Sequence, residues 1–445
     1  MDTHGWDTVF LISSDKINAA LARNTSQLLM EFHADPGTEP PVTARGKFAS
    51  WSIVPGGSER WLHLGILVKE GSFSIGLGTR SAVAEQFGLL ARANEAKEYD
   101  LAGVTVVLAV DLTLVRSGVS DLDEMRFNIK QVGTSLPPSG QGLVTPVTIL
   151  DPSGKLDVAA QSLLGFAIAD DLVKNRERVK YVLASINPVP PSKDSWLAPK
   201  VSDYAYSARE GGGQSCLAVL RMTRNVDISG LSRALDPSLI RSGNSASYVI
   251  SKRLTLEKLI MPVLPEAYQT TPESFRYDEQ KSFIVNQRSF RTFSVKSGAI
   301  TYYPEIESFE LRIENNCIRT AVRGKCDMKA GIWMSFYVNA SNQAVFDASS
   351  KQLSFLPDPN PISDSHADIP WYFYFLGPLV IAITAICVSV ISKDIAGKLN
   401  DLLRNAMSIT KNPPQVVKWT GTKGFSVSTA GLADSLFMMG DMREG

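Results

Sequence analysis

The chain has 445 residues, 44% hydrophobic, 20% charged and 9% aromatic, which is enough apolar surface for a substantial core and excludes a disordered chain. Lysine plus arginine and aspartate plus glutamate both number 45, so the basic surplus of a duplex-binding domain is missing and nucleic acid is not an expected partner. Four cysteines, Cys216, Cys317, Cys326 and Cys387, exclude a disulfide-built scaffold. The opening MDTHGWDTVF has no basic stretch leading into an apolar core, so no signal peptide and a cytoplasmic origin are expected.

The length fits two or three modules or one elongated β-rich unit. After Ser13 and Ser14, Ile17, Leu21 and Leu28 recur at helical spacing to about Met30. Leu62, Leu64, Ile66 and Val68 then alternate, Gly71 intervenes, and Phe73, Ile75 and Leu77 alternate again, a pattern that predicts a hairpin turning at Gly71. Val104–Val115 reads as a half-buried strand with Val106, Leu108, Val110, Leu112 and Leu114 on one side. A second helix is predicted from Asp157 to Asn175. Lys174, Arg176, Arg178 and Lys180 close it, and this cluster reads either as a patch for an anionic headgroup or acidic partner, or as solvated cations at a helix C-terminus. The adjacent Asp170 and Asp171 point about 100° apart on that helix and read as a solvated face.

Prolines from Pro188 to Pro199 mark a linker, which divides the chain into modules 1–195 and 196–445. Shorter helices are predicted near Leu231–Leu239 and Thr255–Leu259, the latter stopped by Pro262 and Pro265. Glu210–Gly213 reads as a surface loop. Alternation in Phe309–Glu314, Ala330–Ala340, Ala344–Phe346 and Leu353–Phe355 predicts a second antiparallel meander, and Leu356–Ile362, with three prolines, must be extended or turn.

Ile369–Ile391 carries no charged residue, long enough for a membrane-spanning helix. Gly377-Pro378 interrupts it, however, and Ile395, Leu399, Leu402, Leu403 and Met407 continue the helical spacing beyond it. A helix over Leu379–Met407 would be about 43 Å long and apolar all round at first. It needs a wrapper, either a bilayer or a curved sheet, and the two meanders can supply the sheet.

Signals for catalysis are missing. His4, His33, His63 and His366 are not spaced as a ligand set, there is no Cys-x-x-Cys, and Gly76-Leu77-Gly78 lacks a third glycine and reads as a strand end. Neither a metal nor a cofactor is expected, nor an enzymatic activity. Cys317 and Cys326 flank a hairpin-like stretch and could face each other, as two small buried hydrophobes or as a bridge.

Several segments together resemble the clostridial P-forty-seven family, whose founding members are encoded beside OrfX-type botulinum neurotoxin genes. They are Gly5–Phe10 with Asp15–Ala22, Leu256–Pro262 with Leu264-Pro265, and Leu356–Pro361. Lys418–Gly421 follows, with Gly424-Phe425, Thr429–Leu432 and Ser435-Leu436. They lie in order over nearly the whole chain. The resemblance implies an α+β TULIP-type fold, the tubular lipid-binding architecture of BPI-like proteins, with long helices wrapped by highly curved antiparallel sheets. The apolar run then becomes an interior element of the C-terminal module. It also implies a non-enzymatic accessory protein of a bacterial toxin-associated system, released with toxin components. Its partners would be sibling OrfX-like proteins or toxin components, and lipid or another apolar ligand would occupy the tube. The alternatives are a filled tube that acts as a protein-interaction module and, less favoured, a C-terminally anchored membrane protein.

Overall fold

Period-two alternation becomes two large sheets in the computed structural model, which describes residues 1–76, 97–116, 122–187, 195–208, 215–239, 243–297, 299–328, 332–368, 385–386, 389 and 395–445. The first sheet takes β1 (Thr8–Ser13), β2 (Glu31–Ala34), β3 (Val42–Glu59), β4 (Trp61–Ile75), β5 (Lys97–Asp100), β6 (Thr105–Arg116), β7 (Asp123–Asn128) and β8 (Gln131–Val132). It continues with β9 (Leu143–Leu150), β10 (Val182–Ile186), β11 (Val201–Ser207), β12 (Cys216–Met222) and β13 (Ala246–Ile250). The second sheet begins with β14 (Phe275–Asp278), β15 (Phe283–Asn286) and β16 (Phe290–Arg291), and β17 (Val295–Ser297) with β18 (Ile300–Tyr302) forms a separate ribbon. β19 (Glu305–Glu314), β20 (Cys317–Asp327), β21 (Trp333–Asp347), β22 (Gln352–Leu356) and β23 (Ile362–Asp368) complete the second sheet. β24 (Val417–Trp419), β25 (Thr422–Ala433) and β26 (Ser435–Glu444) return to the first.

Strand order in the first sheet is β24-β10-β7-β6-β4-β3-β11-β12-β1-β13-β26-β25. Its end strands β24 and β25 are separated in sequence only by Thr420 and Gly421, so the sheet curls until its ends nearly meet, a barrel-like arrangement. The order draws on strands from both sides of residue 195. Pairing among the described strands is antiparallel except for β8 with β9. The inner face holds one continuous apolar core shared with the second sheet, from Phe10, Trp51 and Phe73 to Phe309 and Phe355.

Curvature has a local cause in β3 and β4. Gly46 and Gly71 are register partners, and a Cβ on Gly46 would lie 2.3 Å from the Glu70 carbonyl oxygen and 2.9 Å from the Phe32 ring. The two backbones therefore approach at a spacing only glycine permits, and bulges at Lys47/Phe48 and Phe48/Ser50 add local twist. This overturns the hairpin expected at Gly71. Trp61–Ile75 is one strand, and the chain reverses at Glu59, whose φ is +57°.

Other expectations change for equally local reasons. Helix α1 (Ser14–Arg23) stops short of Met30 because the Asn24 side chain donates to the Ala20 carbonyl at 2.8 Å and a short 3-10 turn follows. Helix α2 (Val158–Lys174) falls within the predicted span, with Asp157 accepting from Ala160 N at its start. β6 is buried on both faces between Val106 and Leu112 rather than on one. No helix forms over 231–236. Asp227 and Asp236 bind the backbone two residues on, at Ser229 and Ser238, which competes with helix formation, and only Pro237–Leu239 makes a 3-10 turn. Pro262 and Pro265 do not stop the helical stretch. It winds from Lys252 to Tyr268 through α, π and 3-10 turns, and each proline enters at the first or second position of a new turn, where no N–H is needed.

Cys317 and Cys326 do not face each other. They end a single strand, β20, nine residues and so roughly 30 Å apart, beyond the reach of a disulfide. The long C-terminal helix appears as α3 (Ile395–Ala406), a 12-residue helix that buries Leu399, Leu403 and Met407 against β22 and continues as a 3-10 turn to Thr410. Most of Ile369–Ile391, the rest of the expected Leu379–Met407 helix, Leu77-Gly78 and Gly211–Gly213 lie outside the described residues. No helix among the described residues is long and apolar enough to cross a membrane.

If the glycine pair sets the curvature, Gly46→Ala lowers unfolding stability by about 1–3 kcal/mol in urea denaturation. Gly230→Ala, where a Cβ meets nothing within 4 Å, leaves the midpoint nearly unchanged.

A candidate binding cleft at the end of the second helix

Where α2 ends against β2, the same curvature opens a cleft of about 690 Å³. Its wall is three cross-strand rows. Glu31, Lys47 and Glu70 form the first, Phe32, Gly46 and Gly71 the second, and His33, Arg45 and Ser72 the third. Lys47 pairs with Glu70 at 3.2 Å. Strand alternation sends the two polar rows outward and Phe32 inward, where its ring stacks on Phe48 at 4.6 Å between centroids. The opposite wall is Asp171, the C-cap Asn175, and Arg178.

Asp171 is not solvated as its sequence context suggests. It follows Leu164 and Ile168 at helical spacing on the face that packs on the sheet, and only 3% of it is exposed. Asn175 Nδ2 donates to Asp171 Oδ1 at 3.1 Å, whereas Oδ2 has no hydrogen-bond partner among the described residues. Burial pushes the Asp171 carboxyl above the usual carboxylate range, and the main chain at His33 partly offsets the rise. Asp170, one position round the helix, instead pairs with Lys174 at 2.6 Å. The cleft thus presents a buried carboxylate oxygen beneath an open mouth flanked by Arg45, Lys47 and Arg178. Such an arrangement can accept a donor from a ligand and meet an anionic group at its rim.

The four cations predicted as one patch do not converge. Lys174 turns to Asp170 and to the Asp35 carbonyl at 2.8 Å, Arg176 to Glu177 at 3.5 Å, and Lys180 stays exposed. Arg178 alone of the four lines the cleft. A denser cation array, not anticipated from sequence, lies on the outer face of the second sheet in a cleft of about 430 Å³. Arg312 and Arg319 are directly opposed there and share Glu314 Oε2 at 3.0 and 3.4 Å, while Arg323 lies 5.4 Å over the Tyr337 ring. The available signal was Arg312 at a polar position of β19 and Arg319, Arg323 and Lys325 at alternate-face positions of β20. No cluster of three potential metal ligands occurs among the described residues.

Several of the segments that carry the family resemblance meet in space. Asp7 on the lead into β1 accepts from Arg253 Nη2 at 2.7 Å and from Thr223 at 2.7 and 2.8 Å, and Arg253 also pairs with Glu257. Phe10 packs edge-on against Trp419 and Phe425, with centroids 6.3 and 5.6 Å apart. A sequence profile described as "OrfX-like: Protein OrfX2/OrfX3/P47" matches residues 3–352. The chain belongs to this OrfX-like family. Within it, Protein P47 of Clostridium botulinum (strain Kyoto / Type A2) is 23% identical over 440 residues, covering 95% of both chains. The solved structure of P47 from C. botulinum A2 superposes with a TM-score of 0.74 at 21% identity, covering 99% of this chain and 98% of that one. The crystal structure of P47 of C. botulinum E1 gives 0.69 at 21% identity, covering 99% of each. At that identity the OrfX-like structures establish a shared fold.

The raised Asp171 pKa fixes a sign. The folded chain holds this proton more tightly than the unfolded chain, whose aspartate pKa is about 3.9, so the contribution of Asp171 to stability falls as pH climbs from about 4 through the folded-state value, at up to about 1.4 kcal/mol per pH unit. Asp171→Asn should be more stable than wild type at pH 7, with the difference vanishing below about pH 4 in urea melts.

Proposed function

We propose that this chain is a non-enzymatic accessory protein of a bacterial toxin-associated, multi-protein system, built as a TULIP-type tube whose interior takes an apolar ligand such as lipid. Membership of the OrfX-like family carries the accessory role. The curled first sheet around one apolar core supports the tube, in which a single acyl chain needs about 15 Å of dry groove, half of a ~30 Å hydrocarbon core. The modules 1–195 and 196–445 are the working division of that tube. Sibling OrfX-like proteins or toxin components are the partners in this reading, with the charged rim of the cleft, Arg178 included, as one contact surface.

A second reading is favoured by one observation. Large interior side chains such as Trp51, Phe73, Phe309 and Phe355 are at most 1% exposed, and the cleft of the second sheet lies on its outer face. A tube filled by its own side chains would act through its outer surfaces alone.

Native mass spectrometry of protein purified without detergent, with organic extraction of the same sample, separates the two. Phospholipid or fatty acid near one mole per mole is the expected result for the ligand-bearing tube, and a clean ligand-free mass assigns the function to the surfaces. The accessory role is lost if reconstitution with the neighbouring gene products yields neither a complex nor any change in toxin delivery.

A further inference from the structure

β12 places Arg221 opposite Thr8 of β1, and this row faces the main core together with Phe10, Ile12, Leu217 and Val219. The Arg221 side chain therefore points into the curled sheet, and 1% of it is exposed. Its Nη2 donates to Asn187 Oδ1 at 2.7 Å and to the Leu197 carbonyl at 3.4 Å, and Nε and Nη1 have no acceptor among the described residues. Both acceptors are neutral. Asp7, the acid nearest in sequence to Thr8, lies on the other face of β1 and is committed to Arg253 and Thr223. Tyr248 shares the inner face through its register with Phe10 and interacts electrostatically with Arg221. Burial raises its pKa to about 12, so it is a neutral donor and supplies no countercharge.

An arginine cannot shed its proton in a protein, and an isolated buried charge costs several kcal/mol. Neutral acceptors on one nitrogen do not cancel it. We infer that Arg221 anchors an interior anion site, which takes one anionic group of the size of chloride, carboxylate or phosphate, with Tyr248 as a second donor. The group comes either from solution or as the head of an amphiphile. The site stands whether or not the tube takes an apolar ligand, because the argument uses only the charge and its surroundings.

Thermal unfolding of the full chain tests it, with chloride or phosphate titrated against potassium gluconate at constant ionic strength. Wild type is expected to gain roughly 1–2 °C per tenfold rise in the small anion once the site fills, from binding linkage and the unfolding entropy of a chain this long. Arg221→Leu is expected to show no anion dependence. An unchanged anion response in Arg221→Leu, or none in wild type already stripped by organic extraction and refolding, overturns the proposal. Asp194, close to Leu197 in sequence, is the control. If Asp194→Asn destabilises the chain and wild type ignores anions, the charge is met by the chain itself and the site does not exist. Should Arg221→Leu not fold, line broadening of the ³⁵Cl resonance by wild type, reversed by phosphate, decides in its place, and its absence sinks the proposal. Mass spectrometry of the extract separates the sources: a carboxylate or phosphate amphiphile at one per chain, or inorganic anion with a clean protein mass.

Discussion

β1 is the element on which the first sheet depends. It lies between β12 and β13, and all six of its residues are buried. Phe10 and Ile12 face the main core, while Val9 and Leu11 face a second apolar cluster sealed by Ile228, Leu231, Leu235 and Leu239 of the irregular strap. A strand buried on both sides must be apolar in both registers, which explains why Val-Phe-Leu-Ile runs without alternation. Its entry is fixed by Asp7. That carboxylate bonds to the end of β12 through Thr223 and to the helical stretch through Arg253, so one charged group, 2% exposed, ties β1 to two segments that each lie more than two hundred residues from it in sequence. Breaking one side of such a pair leaves the other charge buried, and this makes the register of β1 costly to change.

Curvature follows from a second local constraint. A sheet that must close on itself needs places where strands coil sharply, and the Gly46/Gly71 contact with its neighbouring bulges supplies one. The same close approach lets Phe32 lie across the glycines and directs the flanking polar rows outward, so the cleft beside α2 is a by-product of how the tube bends. Its charges are mixed rather than uniformly basic. That composition fits recognition of a polar partner group better than general attraction to an anionic surface.

Elements defined by one-dimensional period were legible in the sequence. α2 shows its apolar face in Leu164, Ile168 and Leu172, and the meander from Phe309 to Phe355 shows strict alternation. Features defined by pairing across strands were not. Gly71 reads as a turn residue until Gly46 is set opposite it, and Cys317 and Cys326 could be placed opposite each other until both fall on one strand. The opposed Arg312 and Arg319 are visible only once the register is known. Side-chain competition with the backbone accounts for the helix ends: Asn24 truncates α1, and Asp227 and Asp236 hold the strap out of a helix. The family resemblance was legible in ordered sequence segments, of which those holding Asp7, Phe10, Glu257, Trp419 and Phe425 are linked in the fold. Of the four cations after α2, Lys174 and Arg176 take acidic neighbours of their own, Arg178 lines the cleft and Lys180 is exposed.

The two buried charges without full partners differ in a way that bears on function. Asp171 can become neutral by taking up a proton, so its burial is relieved by a change of protonation and needs no ligand. Arg221 has no such exit, and its charge persists at every pH at which the chain folds. A carboxylate in an open cleft can therefore be retained for packing alone, at a modest cost that varies with pH. A guanidinium on the inner face of the curled sheet has no such relief, and an anion bound beside it is what would offset its cost. Interior position also matters for what that group can be. Arg221 shares its cross-strand row with Ile250 and its face of the sheet with Phe10 and Val219, so an anion bound there would lie against apolar side chains.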